Sequence, residues 1–397
     1  MEWLFVLITF CLSVVLTSAF LPGILKVSHK KRLYDEADER KVHAGNIPRL
    51  GGLSFLPVVL FACLLCIGIY LLSGFDLSIG FRKVMSQIAF FVCGSLLLYL
   101  IGVRDDLVGL RYRTKFYVQF LVASFLPLSG LWLKNLNGLF GIYEIAPWLG
   151  IPFTILLVVL IINAMNFIDG VDGLAAGISV VSLIILSTLF VVSQMWGYAL
   201  ISVTTIGVLL PFIYYNLYGK AEQRKKLFMG DTGSLTLGYL LAYLCLSLST
   251  NISIVAPHLS RVPLYMVAFS TLFIPMFDVV RVMIVRIAHH QSPFLPDRNH
   301  IHHVLLAKGF STRQTAGTII LITYLYGIFN IFCLSKGFDI NLIFLANLLS
   351  WIALNIWLMK GHKAQAASQA QPAVATQEVT PPTPKSQVDI HRKEKRA

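Results

Sequence analysis

The chain is punctuated by apolar runs that a water-soluble fold has no use for. "IPFTILLVVLIINAMN", residues 151–166, is one, and comparable stretches of about 17 to 25 residues recur along the 397 residues. Wound as a helix, each is long enough to cross a hydrocarbon core of ~30 Å while satisfying its own backbone hydrogen bonds. Composition agrees: 56% of residues are hydrophobic and 13% charged, against about 25% charged in soluble domains. The sequence therefore predicts an all-α polytopic membrane protein. Eleven transmembrane spans are expected, near residues 3–25, 50–73, 84–103, 116–133, 151–168, 174–194, 198–217, 234–250, 264–285, 315–335 and 341–360.

Basic residues set the expected orientation. About 26 of the 32 Lys and Arg fall in one set of alternate connections and about 5 in the other, with Arg281 inside a span. The positive-inside rule then puts the N-terminus outside and residues 26–49, 104–115, 218–231, 286–313 and the tail in the cytoplasm. The first span lacks a small-x-small site before "KVSHKKR", so it reads as a retained helix, not a cleaved signal. A net charge of +13 follows from this topology and from anionic headgroups, and needs no nucleic acid. Residues 1–362 form the expected membrane domain; 363–397, rich in Ala, Gln, Pro, Thr and Lys, reads as a disordered cytoplasmic tail. The six cysteines all lie in expected spans and read as packing residues, Cys63-x-x-Cys66 included.

Polar residues gather at one membrane face. Asp105 and Asp106 in "GVRDDLVGLRYRTK" end the third span, Asp169 and Asp172 in "NAMNFIDGVDGL" end the fifth, and Asp231 in "FMGDTGS" opens the eighth. Small glycines flank the latter three, leaving room for backbone or ligand to approach. Asp231 is expected both to cap its helix and to bind. The same face receives "SPFLPDRNHIHH", residues 292–303. Its three histidines are competent zinc ligands, but adjacent His302 and His303 diverge in a helix and Arg298 is a poor neighbour for a cation, so contacts to phosphate, sugar or base fit better. Carboxylates alone repel an anionic substrate, whereas carboxylates holding Mg²⁺ attract one. The pattern points to phosphoryl chemistry between a soluble phosphate compound and a membrane-bound one.

Taken in order, "DERKVHAGNIPRLGG", "DDLVGL…K", "NAMNFIDGVDGL", "FMGDTGS" and "SPFLPDRNHIHH" resemble the polyprenyl-phosphate N-acetylhexosamine-1-phosphate transferases, and in detail the WecA-type branch, over roughly residues 30–310. The resemblance implies transfer of a sugar 1-phosphate, GlcNAc first among candidates, from a UDP-N-acetylhexosamine to undecaprenyl phosphate. UMP is released, Mg²⁺ (or Mn²⁺) is used, and the bacterial inner membrane is the site. By position, Asp105 and Asp106 match paired aspartates near the lipid phosphate and Lys115 the lysine that follows. Asp172 and Asp231 match metal positions. Asn163, Asn166 and Asp169 match polar residues on the nucleotide side, Asp169 counting with the catalytic aspartates. Arg298, His300, His302 and His303 match the substrate-binding PDRxHIHH loop. A sister branch that transfers muramoyl-pentapeptide phosphate carries TPTMGG where this chain has "IPRLGG". The oligomeric state stays open, a homodimer included.

A phosphate monoester with a second pKa near 6 is already largely dianionic, so the chemistry leans on positioning and charge more than on a strong general base. A two-step route through an aspartyl phosphate is the alternative. From another class, an ion- or proton-coupled transporter is the competing reading, resting on Asp278 and Arg281 inside the ninth span, whose i, i+3 spacing also lets them pair.

Overall fold

The structure, a computed structural model, describes residues 2–34, 47–74, 79–255, 262–292 and 299–360. The expected tail, 363–397, and Arg298 lie outside them. Among the described residues the chain is almost wholly helical: α1 (Glu2–Lys31), α2 (Phe55–Leu72, entered through a 3-10 turn Gly51–Ser54), α3 (Ile79–Val108), α4 (Tyr112–Leu128), α5 (Pro147–Ile168), α6 (Leu174–Val192), α7 (Trp196–Ile213), α8 (Gly230–Val255), α9 (Leu264–Ser270), α10 (Phe273–Ala288), α11 (Ile301–Ala307), α12 (Thr312–Ser335) and α13 (Ile340–Met359). A short hairpin, β1 (Asn135–Leu139) and β2 (Ile142–Glu144), is its only sheet there.

Nine helices among the described residues are long and apolar enough to cross a membrane, or ten if α9 and α10 count as one bent span. The expectation of eleven is therefore corrected at two places. Helix α4 starts earlier than expected and has 17 residues. It stops in a Schellman turn: the Gly130 N–H donates to Pro127 O (2.9 Å) and the Leu131 N–H to Leu126 O (2.9 Å), with Gly130 at φ +88°. The expected span 264–285 is broken by a 68° bend between α9 and α10. Pro275 has no N–H to offer the carbonyl four residues back, Thr271. The Ser182 hydroxyl of α6 donates to that carbonyl instead, at 3.2 Å.

Helix α8 is the axis of the bundle. Every residue from Thr232 to Leu248 is buried, with α3, α5, α6, α7 and α9 packed around it. Without a hydrophobic force between helices in lipid, close approach of small residues does this work. Gly52 faces Gly233 so tightly that a Cβ on Gly52 would collide with the Gly233 backbone nitrogen.

Two polar clusters sit at opposite ends of α3 and α8. At one end Gln87 (α3), Asn251 (α8) and Tyr198 (α7), all buried, close a ring. Asn251 Nδ2 donates to Gln87 Oε1 (2.6 Å) and to the Tyr198 hydroxyl (2.8 Å), Gln87 Nε2 to Asn251 Oδ1 (3.2 Å), and the Tyr198 hydroxyl to Gln87 Oε1 (3.2 Å). The hairpin is tied in by the Tyr265 hydroxyl donating to Leu136 O (2.7 Å) and the Phe140 N–H to Asn341 Oδ1 (2.7 Å). The other end carries the acids.

Candidate active site

Helix α3 delivers Asp105 and Asp106 on its last turn, and the two neighbours do different work. Both oxygens of Asp106 face the start of α8: the Asp231 N–H donates to Oδ1 (2.8 Å), the Thr232 N–H to Oδ2 (2.9 Å) and the Thr232 hydroxyl to Oδ2 (2.6 Å). Asp106 thus caps a helix on which it does not reside, meeting the positive end of α8 with a carboxylate. This corrects the expectation that Asp231 caps α8.

Freed of that duty, Asp231 turns to α4 and α5. Its Oδ2 lies 2.5 Å from Lys115 Nζ, and the same ammonium lies 2.5 Å from Asp105 Oδ2. Asn166 Nδ2 donates to Asp231 Oδ1 (3.2 Å) and to the Ser234 hydroxyl (2.8 Å). Four elements thereby converge: α3 through Asp105, α4 through Lys115, α5 through Asn166 and α8 through Asp231. One turn before Asn166, Asn163 faces α4, donating to Gln119 Oε1 (2.6 Å) and to its own helix at Val159 O (2.8 Å).

The turn from α5 to α6 presents the remaining pair. Asp169 ends α5, and its carboxyl is held well above the usual carboxylate range, first by burial and then by the charges of Asp231, Asp172 and Asp106, with Arg49 opposing them. Asp172 is buried and pairs with Lys226 at 2.5 Å. Gly173 follows at φ +73°, the left-handed region a glycine enters without strain. Its N–H donates to Asn216 Oδ1 (2.5 Å), while Asn216 Nδ2 donates to Leu227 O (2.9 Å), which fixes the Asp172 turn against the segment that carries Lys226.

The "HIHH" residues arrive from the other side. Buried Asp278 of α10 accepts from His300 Nδ1 (2.7 Å), the Ile301 N–H (3.1 Å) and Arg281 (2.7 Å), and Arg281 also donates to Asn299 O. A carboxylate has no proton to give, so His300 carries its hydrogen on Nδ1. The two residues behind the transporter reading are thus engaged in holding the start of α11. The His300 ring stacks on Phe167 (5.4 Å between centroids, 25°), beside Asn166, and on His302 (5.9 Å, 5°). His302 is 1% exposed, with Nε2 2.8 Å from where a Cβ on Gly170 would sit. Burial first, then His303 and His300, push its pKa down to about 3, so the ring is neutral. His303 packs on His302 at 4.2 Å.

Comparison with known proteins decides the family. The model of Glycosyl transferase family 4 matches residues 88–249, from α3 through most of α8. A Bacillus subtilis (strain 168) protein named probable undecaprenyl-phosphate N-acetylglucosaminyl 1-phosphate transferase is 33% identical over 81% of this chain and 83% of its own length. Proteins of Yersinia pestis and Escherichia coli (strain K12), named undecaprenyl-phosphate alpha-N-acetylglucosaminyl 1-phosphate transferase, are 32% and 31% identical over 77% of each chain. The chain belongs to glycosyl transferase family 4. Within it, the relatives place it in the WecA-type branch, as the five motifs led us to expect.

For this family 4 transferase, the sequence motifs held the acids together with two of their partners, Lys115 and Asn166, and left out others. Lys226 and Asn216 carry no local signature, because each acts across a tertiary contact, and Thr232 and Ser234 stand inside "FMGDTGS" without being singled out. Arg49 had a trace in "IPRLGG", whose segment docks on the segment before Asp231: the Gly51 N–H donates to Phe228 O (2.9 Å) and the Gly52 N–H to Met229 O (2.8 Å). Among the described residues no three His, Cys, Asp or Glu side chains form a ready cage for a metal. Mg²⁺ is ordinarily held by one or two carboxylates together with substrate phosphates and water. Asp172 and Asp231, whose charges both bear on the Asp169 carboxyl and each of which already meets a cation, are a donor set of that kind.

Proposed function

We propose that this multi-pass membrane protein transfers N-acetylhexosamine 1-phosphate, GlcNAc 1-phosphate first, from a UDP-sugar to undecaprenyl phosphate and releases UMP, as the names of its relatives describe for them. The supporting observation is the convergence of Asp105, Lys115, Asn166 and Asp231 from four elements at one end of the bundle. An oxygen of the lipid phosphate attacks the sugar-bearing phosphorus, a new P–O bond forms, and the bond to the bridging oxygen of UMP breaks. Asp105 orients the acceptor phosphate, Asp106 holds α8 in place, and Asn166 keeps Asp231 aimed. His300, fixed by Asp278 and stacked on Phe167, flanks the donor side with His302 and His303, and Arg298 is assigned to the donor from its motif alone. Asp231 and Asp172 are the residues that would hold Mg²⁺, which when bound screens the two anions and stabilises the leaving UMP.

The basic residues support a cytoplasmic-face site in the bacterial inner membrane, where a soluble nucleotide meets a lipid whose hydrocarbon stays in the bilayer. The test is UMP release by detergent-purified protein given UDP-GlcNAc, undecaprenyl phosphate and Mg²⁺. Lipid-dependent UMP that vanishes in EDTA is the expected result. No UMP with any UDP-N-acetylhexosamine, from folded protein, would remove the proposal.

A further inference from the structure

Both carboxylates proposed to take a divalent cation are already met by an ammonium. Lys115 Nζ lies 2.5 Å from Asp231 Oδ2, and Lys226 Nζ lies 2.5 Å from Asp172 Oδ2. Neither lysine shares an element with its acid: Lys115 stands on the first turn of α4, Lys226 in the segment before α8. Lys115 also spans to Asp105 at 2.5 Å, so one point charge joins the inner ends of α3 and α8. These are not loose surface pairs. The side chain of Lys226 is 13% exposed and that of Asp172 9%, and Lys115, Asp105 and Asp231 are 24%, 12% and 22% exposed.

We infer that Lys115 and Lys226 are placeholder counter-ions, which balance the acids while the divalent cation is absent and give up those oxygens when it binds. The inference rests on the metal assignment of Asp172 and Asp231 made above. Its physical content is a competition. A carboxylate oxygen at 2.5 Å from an ammonium has its best lone-pair directions committed, and a cation that takes it must break that contact. The lysines therefore lower the apparent affinity for divalent ions. In return, α3, α5, α6 and α8 keep their inner ends assembled without metal, where bare carboxylates would repel one another. Lys115 has the larger effect, since it holds two acids on two helices and Lys226 one.

The experiment uses the full chain in detergent, without nucleotide or lipid, with Mn²⁺ as the probe read by its EPR signal. Lys115→Met is expected to bind Mn²⁺ about tenfold tighter than the unaltered protein, about 1.4 kcal/mol. Lys226→Met should shift the same way by less, and Lys115→Arg, which keeps the charge, should not tighten. In EDTA the melting temperature of Lys115→Met should fall and Mn²⁺ should restore it, while that of the unaltered protein barely responds. Equal or weaker Mn²⁺ binding by Lys115→Met would overturn the inference. Should Lys115→Met fold only with Mn²⁺, the placeholder role stands; should it fold in neither condition, Lys226→Met decides. UMP release, measured separately, keeps the two readings apart: a working transferase whose lysine variants bind Mn²⁺ no tighter loses only this inference, and tighter binding without any transfer loses only the function.

Discussion

Helices α3 and α8 touch at both ends through polar side chains, and the two ends are built on opposite principles. At the Gln87–Asn251 end every partner is neutral, and the amides and the Tyr198 hydroxyl use one another. At the Asp105–Asp231 end the groups are charged, acids crowd together, and satisfaction comes from lysines reaching in from elsewhere. A closed neutral ring buried in apolar surroundings fixes helix register and asks for nothing further. A cluster with surplus negative charge stores unfavourable energy that only a bound cation or proton relieves. The difference separates a structural clamp from the proposed active site on the same two helices.

That contrast can be broken in order of expected effect. Asp231→Asn should cost at least about 100-fold in UMP release, the scale of losing one group that stabilises charge in a transition state, with little change in melting temperature. Comparable activity in the variant would move Asp231 out of the site. Asp106→Ala removes three hydrogen bonds from the start of α8, and a loss of about 1–3 kcal/mol is expected. A lower melting temperature in detergent, accompanied by lost activity, would fit a cap; lost activity with unchanged melting would make Asp106 a direct participant. Asn251→Leu leaves Gln87 and Tyr198 short of partners and should destabilise by about 0.6–2 kcal/mol, with turnover per folded molecule preserved. Impaired turnover there would couple the clamp to catalysis.

The smallest effect has the most informative sign. A carboxyl whose pKa is raised in the fold, as that of Asp169 is, binds more protons folded than unfolded between the ordinary value of about 3.9 and its raised one. Its contribution to stability therefore falls as pH rises through that window. Asp169→Asn should melt a few degrees higher than the unaltered protein at neutral pH, with the gap closing toward pH 4, while UMP release drops. A variant that melts lower at pH 7 would mean that the ionised carboxylate is well partnered.

How much was readable in advance depended on whether the cause was local. The bilayer dictates long apolar runs, so nine of the spans announced themselves in sequence. The bend between α9 and α10 had a local seed in Pro275, yet nothing in "STLFIPMFD" tells of the Ser182 hydroxyl that makes the open carbonyl of Thr271 tolerable. The end of α4 was written in "PLSGL", but an uninterrupted hydropathic pattern masked the glycine. At the site, the acids stood out because membrane boundaries rarely carry so many. The assignment of the α8 cap did not, since Asp106 and Asp231 are equally good caps by composition and only the docking of α3 selects between them.

The burial of α8 from Thr232 to Leu248 also bears on how this molecule meets membranes of different thickness. From Gln87 to Asp105 along α3, and from Asp231 to Asn251 along α8, the clamp and the acids lie ~27 and ~30 Å apart at 1.5 Å per residue, and α8 is covered by protein from Thr232 to Leu248. Thinner or thicker bilayers tilt the helices they wet. Here the outer helices can lean while α8 and α3, the latter exposed along one face, stay pinned to each other at both ends, which keeps Asp105 level with Asp231.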